Sequence, residues 1–418
     1  MEVLKNFLSP KVIAIIGASQ KEGKVGFSLM KNLDEFKGEV IPINPNSKFI
    51  LGKKAYGNVL DYPGKIDLAV IAVKSESVPS VLEDCGKKKI YSVIIISSGF
   101  SETGNKKGEE KILRIAKRYK IRILGPNCFG VSNPYLNFDT TFSLNKPSRG
   151  NIAFISQSGA LFSYISDITD FGFGISGFVS LGNMSDLSFC DFIEYFLKDG
   201  KTKAIVLYIE KLKDGRKFID ICKRSKKKIY AVKAGKSQKG SEASISHTGS
   251  LATDFNVYKG AFKQAKVTLC NSLVECFEKA SGKKLGLHKK LRLGKRAVII
   301  TNAGGAGALF TDYCESHNVK VVEWEEKNPY DLLGTARSED YRKAMDKLKN
   351  RRFYDSIIVI MTPQKMTDIE KTAYAISEFK NETSKSIIAL FLGKKSMKKA
   401  NEIFKDNSVQ YSNTMGLY

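Results

Sequence analysis

The feature that most constrains this chain is a set of short, continuous, β-branched apolar runs separated by amphipathic stretches. Val12 to Ile16, Val40 to Ile43, Leu68 to Val73, Val93 to Ile96 and Ile121 to Leu124 are the first five. A run that is apolar at every position, rather than at every second one, predicts a strand buried on both faces. That is the signature of a parallel sheet covered by helices. The first 125 residues or so therefore read as a doubly wound α/β unit. The rhythm restarts with Ile152 to Ile155, Gly177 to Leu181, Ala204 to Ile209 and Ile229 to Val232, and again with Ala297 to Thr301, Ser356 to Met361 and Ile387 to Leu392.

Between the first two series lies a stretch rich in turn residues, from Gly125-Pro126-Asn127 to Lys146-Pro147-Ser148-Arg149-Gly150, with no helical period; it reads as a boundary. Between the second and third, Lys283 to Arg296 holds seven Lys or Arg and no acid, and reads as a basic linker. The expected units are 1–130, 145–282, a linker 283–296 and 297–418. A length of 418 residues fits three α/β domains.

Composition excludes several classes. Hydrophobic residues make up 42% of the chain, enough for ordinary cores, so disorder is excluded. Seven Cys with no C-x-x-C pair suggest neither a disulfide framework nor a four-Cys zinc site, and no metal is expected. The start has no apolar stretch of signal-peptide length, and no 18 consecutive residues are apolar, so a cytoplasmic protein that does not enter a membrane is expected. The formal charge of +25 makes polyanions candidate partners, but the lysines are scattered and runs such as Lys226-Lys227-Lys228 sit at strand starts. A nucleic-acid partner is not expected.

In open parallel sheets ligands bind beyond the carboxyl ends of strands. The first such loop, Gly17-Ala18-Ser19 through Gly23-Lys24-Val25-Gly26, is not a P-loop: five residues separate Gly17 and Gly23, and Val25 stands where a Mg²⁺-binding hydroxyl is needed. It also lacks the second glycine of a dinucleotide fingerprint, but a glycine-rich turn feeding a helix still offers N–H groups to a phosphate. Ser156-Gln157-Ser158-Gly159 and Asn302-Ala303-Gly304-Gly305 follow later strands and offer two more such helix starts. Of three histidines, His288 lies in the basic linker and His317 within an expected helix after Cys314, both read as solvated. His247 sits in a long small-residue segment, Ser244-Ile245-Ser246-His247-Thr248-Gly249-Ser250, expected as a loop, where an imidazole can act as base or nucleophile. Glu210 ends the strand Ala204 to Ile209, either as a solvated strand end or as a carboxylate orienting that imidazole.

Taken in order, the Gly17 turn, Ser98-Gly99-Phe100-Ser101-Glu102, Gly125-Pro126-Asn127-Cys128, Ser156-Gln157-Ser158-Gly159, the Glu210 strand end and Ser246-His247-Thr248-Gly249-Ser250 resemble an NDP-forming acyl-CoA synthetase. The likeness is to the α subunit of the ADP-forming acetyl-CoA synthetase type, related to the succinyl-CoA synthetase α subunit. The resemblance implies a Rossmann-like CoA-binding domain followed by two flavodoxin-like parallel-sheet domains. It also implies the reaction acyl-CoA + ADP + phosphate to carboxylic acid + ATP + CoA, through an acyl phosphate and a phosphohistidine. Carried over, coenzyme A is bound at Gly17, Ala18, Ser19, Lys24, Val73, Gly99 and Glu102, with Asn127 between the thiol end and the phosphate. His247 is then the phosphoryl carrier, Glu210 its orienting partner, and Ser158, Gly159, Gly249, Gly304 and Gly305 hold phosphate. Cys128 is read as structural, because this route needs no thiolate nucleophile.

The same resemblance implies an ATP-grasp β subunit as partner in an α2β2 assembly, carrying ADP or ATP and Mg²⁺, with a small carboxylic acid as substrate. Two departures concern the third domain. Between Val322 and Asn328-Pro329 the family has a longer helical stretch, and the chain ends sooner after Ser408-Val409-Gln410. The alternative is a CoA-binding or sensing protein of this fold without turnover.

Overall fold

The computed structural model describes residues 2–248, 254–286 and 291–415, with the backbone alone at 2 and 244–248. All twelve apolar runs are strands, and they fall into three sheets. The first, in spatial order, is Glu39–Ile43, Val12–Ile16, Leu68–Ile71, Ser92–Ile95 and Arg122–Leu124, all parallel. The second has a parallel part in the order Ile175–Ser180, Arg149–Ser156, Ala204–Ile209, Lys228–Lys233 and Thr268–Leu269. The third runs Lys320–Val321, Arg296–Thr301, Ser356–Met361, Ser386–Phe391 and Gln410–Ser412, also parallel, with Tyr330–Asp331 added alongside Arg296–Thr301.

With Tyr330–Asp331 set aside, and numbered within each sheet in chain order, these parallel strands share one arrangement, 2-1-3-4-5. The chain direction across the sheet therefore reverses beside each sheet's first strand, and the crevice at that reversal is where such folds take ligands. Gly17 and Ala72 flank it in the first sheet, Gln157 and Glu210 in the second, Asn302 and Thr362 in the third. In the third the crevice is closed by the protein itself: Asn302 accepts from the Thr362 N–H at 2.9 Å and donates to its carbonyl at 3.1 Å, both side chains buried. In the second, Gln157 likewise bridges to the strand end at Glu210 and Lys211.

Two sequence expectations need correction. The turn-rich stretch is more than a boundary, because Val131–Asn133 and Phe138–Asp139 add two antiparallel strands to the edge of the second sheet. Such two- and three-residue strands are too short to carry a hydrophobic period. The segment expected as a loop around His247 is helical over Gln238–Thr248. Its Gln, Lys, Glu and Ala favour helix despite Gly240, and the helix lies against Gly304–Ser316. The basic stretch also packs in part, with Leu285 and Leu291 buried against the second sheet's core; His288 lies outside the described residues.

Apolar cores run across the junctions between sheets. Helix Glu2–Leu8 sets Phe7 edge-on against Phe192, 6.1 Å between centroids, joining the first sheet to the second. Leu161, Tyr164, Ala306 and Phe310 share one cluster between the second and third. Ionic clamps accompany them. Arg122 grips Asp186 through two nitrogens, the shortest contact 2.8 Å, and the Asp167 carboxylate accepts from the N–H groups of Lys394 and Ser396.

Candidate functional site

The glycine-rich turn is built by close backbone approach. Gly17 has φ +92°, a left-handed value that favours glycine, and its N–H bonds to the Ile43 carbonyl at 3.0 Å. A Cβ on Gly26 would overlap the Gly17 carbonyl oxygen, so helix Val25–Asn32 can start against the turn only because glycine stands there. Ala18 is buried and its carbonyl accepts from Asn44 Nδ2 at 2.8 Å; Ser19 Oγ accepts from the Lys21 N–H at 3.0 Å. Lys24 is the exposed residue preceding the helix, and Val73, on the neighbouring strand's loop, accepts from Ser97 Oγ at 2.5 Å. Arg337, from the third unit, stands over this turn: its Nη2 is 2.9 Å from where a Gly23 Cβ would be. These residues shape a surface with N–H groups and cations suited to phosphates.

Gly99, Glu102 and Asn127 meet at the opposite side of the same sheet edge. Glu102 Oε1 accepts from the Gly99 N–H at 2.6 Å and the Phe100 N–H at 3.2 Å, which fixes the loop's shape. Its other oxygen accepts from Asn183 Nδ2 at 2.6 Å, while Asn183 Oδ1 accepts from Asn127 Nδ2 at 3.3 Å. Asn183 belongs to the second sheet's loop after Ile175–Ser180, so it ties Glu102 and Asn127 together across the junction. It also donates to Glu109 at 3.0 Å. Burial alone would raise the Glu109 carboxyl, but hydrogen bonds from Ser101, Ser185 and Asn183 outweigh it and hold it below the usual range. Cys128 is buried, and burial pushes its thiol up to about 12; it is no thiolate at neutral pH.

The second crevice gathers the phosphate-type residues. Ser158 precedes helix Ala160–Ile168, with Gly159 as cap, and its carbonyl accepts from Ser156 Oγ at 2.6 Å. Helix Gly304–Ser316 begins beside it. A Cβ on Gly305 would lie 2.5 Å from Ser158 Oγ, so the two helix N-termini touch because Gly305 carries no side chain; Gly304 is the helix's first residue. Two positive helix ends this close are favourable only toward an anion. Glu210 is 5% exposed, which removes the solvated strand-end reading. Gln157 Oε1 accepts from the N–H groups of both Glu210 and Lys211 at 2.7 Å, pinning the strand end.

Tyr208 donates to the Gly305 carbonyl at 3.1 Å and has the Glu210 carboxylate as an electrostatic neighbour, so it stands between the carboxylate and the second helix start. Burial first, and Glu210 next, raise the Tyr208 hydroxyl well above its ordinary value, which keeps it a donor. Lys233 is buried nearby; burial lowers its ammonium to about 8, opposed by Glu210 and Asp312.

His247 lies in the last turn of Gln238–Thr248, which packs on Gly304–Ser316 and also reaches the turn Ser101–Thr103 of the first unit. Its side chain, and Gly249 altogether, lie outside the described residues. His317 caps the end of Gly304–Ser316 in an exposed position. The structure thus brings Ser158, Gly159, Glu210, Gly304 and Gly305 together, links Gly99, Glu102 and Asn127 through Asn183, and sets the Gly17 turn apart. Sequence reasoning missed Asn183, Tyr208 and the pinning role of Gln157; Lys233 was legible as one of the ammonium groups near the His247 segment. A Gly-Asn pair immediately after a buried strand was the one available signal for Asn183.

The arrangement defines a protein of the CoA-binding, succinyl-CoA ligase-like class. Residues 11–134 match the model of a CoA binding domain, and residues 149–283 match a succinyl-CoA ligase like flavodoxin domain. The acetate–CoA ligase (ADP-forming) II subunit alpha of Pyrococcus furiosus is 39% identical over 97% of this chain and 94% of its own. The acetate–CoA ligase (ADP-forming) of Methanocaldococcus jannaschii is 41% identical over 97% of this chain, which spans 60% of its length. A solved dinucleotide-forming acetyl-coenzyme A synthetase from Ca. Korarchaeum cryptofilum, in complex with phosphate and ADP, aligns with TM-score 0.64 at 32% identity, covering 99% of this chain and 94% of that one. The chain belongs to the ADP-forming acid–CoA ligase family, in the form of its α subunit.

Proposed function

We propose that this chain is the acyl- and phosphoryl-handling half of an ADP-forming acid–CoA ligase. Phosphate attacks the thioester carbonyl of acyl-CoA, giving acyl phosphate and CoA. The phosphoryl group then passes from acyl phosphate to a ring nitrogen of His247, releasing the carboxylic acid, and from phosphohistidine to ADP. The observation that carries this reading is the meeting of the helix starts at Ser158 and Gly305 with buried Glu210, beside the helix that bears His247. Phosphoryl transfer depends mainly on positioning and on stabilising charge, and these groups supply both. Glu210 holds the imidazole in one tautomer and supports its cationic form.

CoA lies along the Gly17 turn, with Ala18, Ser19, Lys24 and Val73 lining it and Arg337 adding a cation. Gly99, Glu102 and Asn127 shape the path of its thiol end toward the phosphate. The nucleotide and Mg²⁺ belong to an ATP-grasp partner in an α2β2 assembly, a reading supported by relatives named as subunit alpha and by a longer relative of which this chain spans 60%. Small carboxylic acids are the substrates, and the site is cytoplasmic. The test is ATP formation from acetyl-CoA, ADP and phosphate. The chain purified with its partner should form ATP, and the chain alone should not; ATP formed by the isolated chain would refute the division.

A further inference from the structure

The segment that carries His247 is fastened at its origin by a side chain from the third unit. Asp312 lies two turns into Gly304–Ser316, the helix whose first residues form the phosphate pocket with Ser158, and is 8% exposed. Its Oδ2 accepts from the Gly235 N–H at 2.8 Å, and its Oδ1 from the Ser237 N–H at 2.8 Å and the Ser237 hydroxyl at 2.9 Å. Ser237 Oγ in turn accepts from the Gly240 N–H at 2.9 Å, and the Ser237 carbonyl from the Ser241 N–H at 2.8 Å, so the clamp continues into the first turn of Gln238–Thr248. A Cβ on Gly240 would overlap Asp312 Oδ1; glycine at that position lets the helix seat on the carboxylate.

The charge around the clamp is arranged for it. An anion at a helix N-terminus is stabilised by the unpaired N–H groups there, and bonds to an ionised acceptor are stronger than neutral ones. Lys233, 4% exposed, faces both Asp312 and Glu210; its Nζ donates to the Ala234 carbonyl and lies 4.6 Å from the centre of the Tyr258 ring. One rigid helix therefore sets two positions: its start forms the pocket wall, and Asp312 fixes where the carrier segment begins.

We propose that Asp312 is the positioning residue of the phosphoryl carrier: it anchors residues Gly235 to Gly240 so that the segment delivers His247 to the Ser158–Gly305 pocket while its origin stays in place. This rests on reading His247 as the carrier. Replacing the carboxylate by an amide turns one acceptor oxygen into a donor facing N–H or O–H groups, which releases the clamp with little change in volume.

The experiment compares full-length wild type with Asp312→Asn. Labelling is measured with acetyl-CoA and ³²P-phosphate, and discharge of the isolated phosphoprotein is measured with ADP and the nucleotide-binding partner. The expected result is a labelling rate constant lower by about 10- to 100-fold, the effect of a displacement on the order of 1 Å. The KM for acetyl-CoA and the rate of discharge should stay within about twofold of wild type, since neither needs the clamp to aim His247 at the pocket. An unchanged labelling rate, or equal loss in labelling, discharge and CoA binding, overturns the proposal. If Asp312→Asn does not fold, Gly240→Ala presses on the same carboxylate, and the same selective loss or its absence decides. Absence of label in wild type refutes the carrier reading itself, before any variant is compared.

Discussion

Glu210 shows how burial assigns a role that spacing leaves open. At a strand end its carboxylate has two readings, and its burial, at 5% exposed, removes the solvated one. Glu210→Gln keeps the volume and removes the charge, so turnover should fall on the order of 10² to 10⁴ while the thermal midpoint changes little; steady-state kinetics beside a melting curve checks both. Unchanged turnover would leave Glu210 a structural residue. Cys128 makes the opposite case. Its thiol, raised to about 12 by burial, stays protonated, and Cys128→Ser should retain most turnover, whereas a loss above tenfold would give the sulfur a part in the chemistry. Gln157 stayed hidden in the sequence because its work depends on a neighbouring strand 53 residues away. No local pattern marks a glutamine for that.

At the scale of elements, the apolar runs gave every long strand, because continuous β-branched hydrophobicity is a local property with one structural outcome. The helix Gln238–Thr248 was not legible for the converse reason. Its small residues carry no apolar stripe, and it is held by close packing on Gly304–Ser316 rather than by its own pattern. That packing makes the glycines of the two helix starts testable. Gly305→Ala would put a methyl group 2.5 Å from Ser158 Oγ and force the helix ends apart. Phosphorylation should drop by about tenfold or more while CoA affinity, set at the Gly17 turn, is kept; calorimetric titration with CoA and labelling with phosphate separate the two. Loss of CoA binding in that variant would mean that the two regions are not independent.

Across the whole molecule, three sheets of one strand order put a strand-end crevice at the same relative place in each, and the motifs that carry the resemblance fall at those strand ends. What it did not provide is the set of contacts that hold the units in register: Asn183 on Glu102 and Asn127, Arg122 on Asp186, and Asp167 on the Lys394 loop. These join residues far apart in sequence and exist only once the units are packed. The segment between the first two sheets adds a pH dependence. Burial, opposed by Thr141, Lys146 and Lys365, raises the Asp139 carboxyl from 3.8 to about 6.

With the folded value above the unfolded one, Asp139 contributes its full stability below the unfolded value and loses it as pH rises through about 6. The contribution is about 2–3 kcal/mol, since each tenfold change in proton affinity is worth roughly 1.4 kcal/mol. Urea unfolding of Asp139→Asn should therefore show a flatter stability profile than wild type between about pH 4 and 6, and parallel profiles would contradict the assignment.

Everything proposed for this chain turns on His247 carrying the phosphoryl group. The most direct measurement is incorporation of ³²P-phosphate by the full chain in the presence of acetyl-CoA, for wild type and for His247→Ala, with the acid and base stability of the label determined. Wild type should acquire a label that is labile in acid and stable in base, and His247→Ala none. A label of the same kind and amount on His247→Ala would contradict it.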